Sequence, residues 1–234
     1  MPRGSGGDHQ PATDATADPV ARMRRAVLAG HRGDLQEARL LSDDPVPSVR
    51  SAALGALARL DALDVTALER CAHDTDASVR RRACLEAGRA LGAGSAHDDV
   101  LDGAVDVVLD RLAHDGDAAV VECAAWALGE AGRRCPRPGV DALVRVARAH
   151  PDPLAREAAV AALGAVGEPR ALDVVLDALG DRPAVRRRAA IALAAFDDPR
   201  AEAGLRRCLA DRDWQVRQAA EDLLGPQTSA DTNS

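Results

Sequence analysis

DRPAVRRRAAIAL, residues 181–193, decides the fold, because versions of it return about every thirty residues along the chain, and a period of that length marks stacked repeats. Aligned on Val185, the other copies are VRSAALGALA at 49–58, VRRRACLEAG at 79–88, VVECAAWALG at 120–129, AREAAVAALG at 155–164 and VRQAAEDLLG at 216–225. Their starts are separated by 30, 41, 35, 30 and 31 residues. With the first residue of each copy as position 0, positions 0, +4, +8 and +11 share one helical face. They read Val185, Ala189, Leu193 and Phe196 in one copy and Val120, Ala124, Leu128 and Ala131 in another. Each copy is therefore predicted to be a helix with one buried stripe.

An Asp-rich turn precedes each of these helices, as in Asp43-Asp44, Asp74-Thr75-Asp76, Asp115-Gly116-Asp117, Asp152, Asp181 and Asp211-Arg212-Asp213. An Asp oxygen there accepts the unpaired amide hydrogens of the first turn, worth about 1 kcal/mol per cap. After each copy a second segment rich in Val and Leu follows, for example 99–113, 140–149 and 170–179. The links Glu168-Pro169-Arg170 and Asp198-Pro199-Arg200 restart the chain at equivalent places. The unit is helix, tight turn, helix. Residues 20–29 supply a first half-unit, so residues 19–225 form the predicted solenoid, with 1–18 and 226–234 as polar, disordered tails.

Composition agrees with an all-α chain. Hydrophobic residues make up 47% of the sequence, carried by Ala, Leu and Val, with one Phe, two Trp, no Tyr and a single Ile191. Sheets lean on β-branched and aromatic residues instead. The basic residues are all Arg, and the net charge of −7 argues against broad charge-driven binding to nucleic acid. No apolar run approaches the roughly 20 residues of a membrane span, and a cytoplasmic protein is expected. Five cysteines without a CxxC pair predict reduced thiols, buried except for Cys135 in its polar loop.

The acidic turn, Val-Arg, Ala-Ala, Ala-Leu-Gly and Pro-Arg-Ala link, recurring in register, resemble the short HEAT repeats of the phycobilisome-lyase-like type. The resemblance implies a right-handed α-solenoid of about six helix pairs plus an N-terminal half-repeat. It also implies a structural ladder in which the Arg at +1 pairs with the Asp of a neighbouring turn, here Arg50, Arg80, Arg156, Arg186 and Arg217. An Arg at an apolar helix start is costly to bury without such a carboxylate.

Departures among the copies carry the functional expectation. The copy at 120 has Val121 in place of the ladder Arg, Trp126 at +6, the insertion GAGSAHDD (92–99) before it and the link RRCPRPG (133–139) after it. In the resembling fold the repeated helix lines the concave face. The +6 column, Gly55, Leu85, Trp126, Ala161, Ile191 and Asp222, then forms an apolar band, with Glu86 as the alternative to Leu85 in one uncertain register. Arg81, Glu122, Glu157 and Arg187 at +2, with Arg89 and Glu130 at +10, are expected beside it. Mixed charges around an apolar band favour a protein partner over a polyanion. Trp214 is expected to close the last unit.

Enzyme classes rank lower. His73 and His114 recur in equivalent AHD triplets, and stacked helices would hold them about 10 Å apart, too far for a shared metal site. No His is followed by Glu, unlike the di-iron deoxyhypusine hydroxylases, and a HEAT-like DNA glycosylase would want a basic groove. A bilin lyase-like role, with Arg residues pairing the propionates of an open-chain tetrapyrrole, is the alternative that the resemblance implies. No catalytic constellation, metal site or cofactor is expected, and the partner remains unidentified.

Overall fold

The computed structural model describes residues 18–94 and 98–225; both expected tails beyond those limits, and part of the 92–99 insertion, lie outside the described residues. The described chain holds thirteen α-helices and no strand: α1 (Pro19–Arg32), α2 (Leu35–Leu41), α3 (Pro47–Arg59), α4 (Val65–Ala72), α5 (Ala77–Ala93), α6 (Asp98–His114), α7 (Ala118–Glu130), α8 (Arg137–Ala149), α9 (Pro153–Val166), α10 (Leu172–Asp177), α11 (Pro183–Leu193), α12 (Pro199–Cys208) and α13 (Trp214–Leu224). Odd-numbered helices, the repeated copies, pack one on the next as an inner row. Even-numbered helices form the outer row, which makes the chain a two-layered helical solenoid. The short α2, which follows the half-unit, gives α3 its outer partner.

Local chemistry sets the helix ends. Asp18, Asp34, Asp64, Asp76, Asp117, Asp152, Asp198 and Asp213 each accept an amide hydrogen of the helix they precede. Gly94 and Gly167, both in the left-handed region, stop α5 and α9, a conformation that a Cβ would strain.

Packing within the inner row rests on small residues. The Gly at +9 of one helix meets the Ala at +7 of the next, in the pairs Gly30–Ala56, Gly88–Ala127, Gly129–Ala162 and Gly164–Ala192. A Cβ built on Gly164 would lie 2.9 Å from Ala192 Cα, so the backbones are too close for a larger residue. The junction between α3 and α5 differs. There Ala58 and Glu86 occupy the two positions, and Arg82 lies against Gly55. Glu86 is buried, with Arg89 Nη1 3.0 Å from its Oε1. Arg82 Nε is 2.6 Å from the same oxygen, but its N–H is misdirected for a hydrogen bond.

A row of arginines ties the units together along one edge. Arg22 donates to Asp44, Arg50 to Asp74, Arg80 to Asp115, Arg156 to Asp181 and Arg186 to Asp211, each through Nε and Nη2. In Arg50, Arg80, Arg156 and Arg186, Nη1 holds a carbonyl of the helix's own preceding turn, such as His150 O at 2.7 Å from Arg156. Asp44, Asp74, Asp115 and Asp211 also accept the N–H of the residue two positions on. Each rung thus fixes two turns at once. Arg217, in the last unit, donates to Asp211 O. Arg22 belongs to the same series, one unit earlier than the ladder arginines expected from sequence.

Two opposing effects act on these aspartates. Burial raises the carboxyls of Asp44, Asp74 and Asp115, but hydrogen bonds from Arg and backbone N–H groups outweigh it and hold all three below the usual carboxylate value of 3.8. For Asp181 and Asp211 the arginine hydrogen bond is the leading cause of a shift in the same direction. A folded-state value below the unfolded one means stability that is complete above about 3.8 and lost as pH falls through the depressed values. Helical signal followed by circular dichroism is expected to collapse in one acid transition below pH 3.8, earlier in Asp74→Asn. An acid transition unmoved by that variant would exclude the rungs as its cause.

Candidate functional site

The inner row curves around a groove of about 690 Å³ that spans α3 to α11. Its floor is Trp126 on α7, 37% exposed, whose ring rests on Gly88 of α5: a Cβ at Gly88 would lie 2.5 Å from Trp126 Cζ3. The indole is thus packed on one side and open on the other. Leu85, Ala158, Ala161, Ala162 and Leu154 extend the apolar floor. Glu122 and Glu130 sit one turn before and one turn after Trp126 on the same helical face, and both line the groove with Glu157.

Of the residues expected from sequence, Leu85, Arg81, Glu122, Trp126, Glu130 and Glu157 line this groove together. Three do not reach its lining. Ile191 is exposed on α11, Arg187 lies beside it on the same helix, and Arg89 turns to Glu86. Leu85 takes the lining position and Glu86 the buried one, which fixes the register of that copy. Arg82, Cys123 and Arg188, all at +3, line the groove as well and were not foreseen. A helical face is wider than one column, so +3 adjoins +2 on the same surface. Arg188 Nη2 lies 3.3 Å from Glu157 Oε1, bridging α11 to α9. A second lobe of about 430 Å³ continues toward α1, sharing Ser51, Ser78 and Arg82.

Two further expectations change. Cys123 is half-buried, with Cys135, whereas Cys71, Cys84 and Cys208 are fully buried. Burial pushes the Cys123 thiol up to about 11 and the Cys84 thiol up to about 12, so neither is a thiolate nucleophile at neutral pH. Trp214 opens α13 two residues ahead of its first core position, Val216, and is 64% exposed instead of covering the last unit. On the outer row, His73 and His114 both approach Asp110, at 3.3 and 2.9 Å. Among the described residues no group of three or more His, Cys, Asp or Glu is arranged to hold a metal ion, and no helix is long and apolar enough to cross a membrane.

A family model for HEAT repeats matches residues 105–184 and 140–225, together more than half of the chain. The chain belongs to the HEAT-repeat family. No curated protein matches it in sequence. Among solved structures, an engineered protein is similar at 21% identity, covering 82% of this chain and 97% of its own, with a TM-score of 0.57. The complex of CpcE and CpcF of phycocyanin lyase from a Nostoc species is similar at 22% identity over 81% of this chain and 75% of that one, with a TM-score of 0.54. A designed armadillo repeat protein in complex with the peptide (KR)4 is similar at 14% identity over 89% and 98%, with a TM-score of 0.54. At these identities the likeness is one of fold.

Proposed function

We propose that this HEAT-repeat chain is a non-enzymatic, cytoplasmic binding scaffold whose concave groove takes a segment of another protein that pairs an apolar side chain with a basic one. The observation that carries the proposal is Trp126, half open on the groove floor between Glu122 and Glu130. An exposed indole offers an apolar contact and a π face for a cation, and carboxylates on either side attract the same cation. Glu122 and Glu130 make no ion pair among the described residues, whereas Arg82 and Arg188 are engaged with Glu86 and Glu157. Arg81 also lines the groove without an ion pair among the described residues, so two unpaired carboxylates flank the indole against one unpaired guanidinium. The (KR)4 complex of the designed armadillo protein makes a basic peptide a sensible first probe. Free thiols throughout suit a reducing compartment.

Trp fluorescence in a Trp214→Phe background, titrated with (KR)4 and with an acidic peptide of equal length, tests the assignment. Quenching is expected for the basic peptide alone, and Trp126→Ala, followed by anisotropy of a labelled peptide, is expected to weaken binding about tenfold or more. Glu122→Gln with Glu130→Gln should weaken it further at low salt than at high salt. Unchanged binding in Trp126→Ala would sink the groove as the site. A bilin added in the same titration separates the lyase-like alternative, which requires quenching with an absorbance change.

A further inference from the structure

The groove has two lobes of unlike charge. The lobe around Trp126 carries Glu122 and Glu130 unpaired against Arg81, and pairs Arg188 with Glu157. The second lobe, toward α1, has no Asp or Glu in its lining, where the charged side chains are Arg59 and Arg82. In a chain of net charge −7, α1 and α3 contain no Asp or Glu at all. The carboxylate of α5, Glu86, is buried with two guanidinium groups against it, Arg82 and Arg89, so that trio keeps a net positive charge. Arg59, exposed in the last turn of α3, makes no ion pair among the described residues.

Arg82 stands where the two lobes meet. It lines both, as Ser51 does, and its guanidinium lies across α3 at Gly55, where an added Cβ would collide with Nη2. The same +6 position carries Leu85, Trp126, Ala161, Ile191 and Asp222 on the later inner helices, so it is the missing side chain on α3 that admits the guanidinium. Nε faces Glu86, whereas Nη1 and Nη2 make no hydrogen bond among the described residues. A guanidinium edge left free in this way suits a carboxylate, which it takes through parallel N–H bonds. We infer that this lobe receives an acidic side chain of the same protein segment whose basic and apolar residues meet Trp126, an inference that rests on that reading of the groove. From α3 to α7 there are two inner-helix steps, each of about 8–10 Å. An extended segment crossing the helices advances about 3.3 Å per residue, which puts its acidic residue about six positions from its basic one.

The probes are fluorescein-labelled peptides read by anisotropy with the whole chain. Each carries Arg-Leu-Arg and, on a Gly-Ser spacer of about six residues, either Asp-Asp or Ser-Ser, in both chain directions. A further peptide sets Asp-Asp directly beside Arg-Leu-Arg. In one direction the spaced Asp-Asp peptide should bind about tenfold more tightly than its Ser-Ser counterpart, an advantage that shrinks at high salt. Arg59→Glu, at an exposed position, should abolish the advantage and leave the affinity for the Ser-Ser peptide unchanged. Gly55→Ala displaces the flexible end of Arg82 from α3 and favours the helix, so it should reduce the same advantage while the thermal midpoint holds. Equal affinity for spaced Asp-Asp and Ser-Ser, or an equal gain from the adjacent Asp-Asp, overturns the inference. Binding that still depends on Trp126 in that case leaves the groove reading standing. Binding of none of these peptides, nor of (KR)4, sinks that reading and the inference with it.

Discussion

Asp115→Ala is expected to destabilise the chain by about 3–5 kcal/mol, the cost of stranding a buried cation. The Asp115 side chain is 1% exposed. Its carboxylate accepts Arg80 Nε at 2.7 Å and Nη2 at 2.9 Å, Arg111 Nη1 at 3.3 Å and the Asp117 N–H at 3.0 Å. Removing it strands the Arg80 guanidinium and a turn amide where water has little access, while Arg111 keeps its pair with Asp110. The exposed pair of Arg200 with Asp173, 2.8 Å apart, is the control, since Asp173→Ala should change stability by about 1 kcal/mol or less. Urea denaturation of the two variants reads the difference as a shift in midpoint. Asp115→Leu combined with Arg80→Leu should recover part of the loss, because an apolar pair of similar volume has no charge left to solvate. Equal midpoints for Asp115→Ala and Asp173→Ala would mean that the rungs contribute no more than surface ion pairs.

The ladder also shows what the sequence can and cannot disclose. Period, caps and helix faces are local properties, so the alternation of inner and outer helices follows from apolar residues at the places of Val185, Ala189 and Leu193 in every copy, even where Ala155 or Ala87 stands in for the larger side chain. The groove's floor was legible for the same reason: Leu85, Trp126 and Ala161 share one column. What the column could not predict is width. Arg82, Cys123 and Arg188 enter the lining because neighbouring helices rotate their +3 positions toward the same opening, and rotation is set by how closely backbones approach. That approach depends on Gly–Ala contacts between units, whose partners stand 26 to 39 residues apart in the chain. Ile191 shows the converse, since it shares the column of Trp126 and yet stands outside the groove. Nor did local pattern predict that Trp126 would be both packed and open, which depends on Gly88 in the preceding unit.

The rung missing between α7 and α9 is expected to behave as a matched pair of replacements. At +1 of α7 stands Val121, 1% exposed, and at the place of the partner aspartate stands His150. His150 Nδ1 takes the Asp152 N–H at 3.1 Å, the same bond that Asp44, Asp74, Asp115 and Asp211 accept in their turns. A backbone N–H only donates, so Nδ1 is the acceptor of that bond. The histidine thus keeps the turn's hydrogen bond without the carboxylate that Val121 has no means to answer. Val121→Arg alone should cost about 3 kcal/mol or more, as an unpaired buried guanidinium, and His150→Asp alone about 1 kcal/mol, as a partly buried carboxylate without its arginine. Together they rebuild a rung, and the double variant should be more stable than the sum of the singles by about 2–3 kcal/mol, the coupling of residues in direct contact. Additivity within about 0.5 kcal/mol would show instead that the two sites are independent. If the rebuilt rung leaves the chain at least as stable as the natural one, stability does not account for its absence. Peptide affinity in the double variant then becomes the decisive measurement, because Val121 precedes Glu122 on the helix that carries Trp126, and a rung there would tie the groove's central helix to α9.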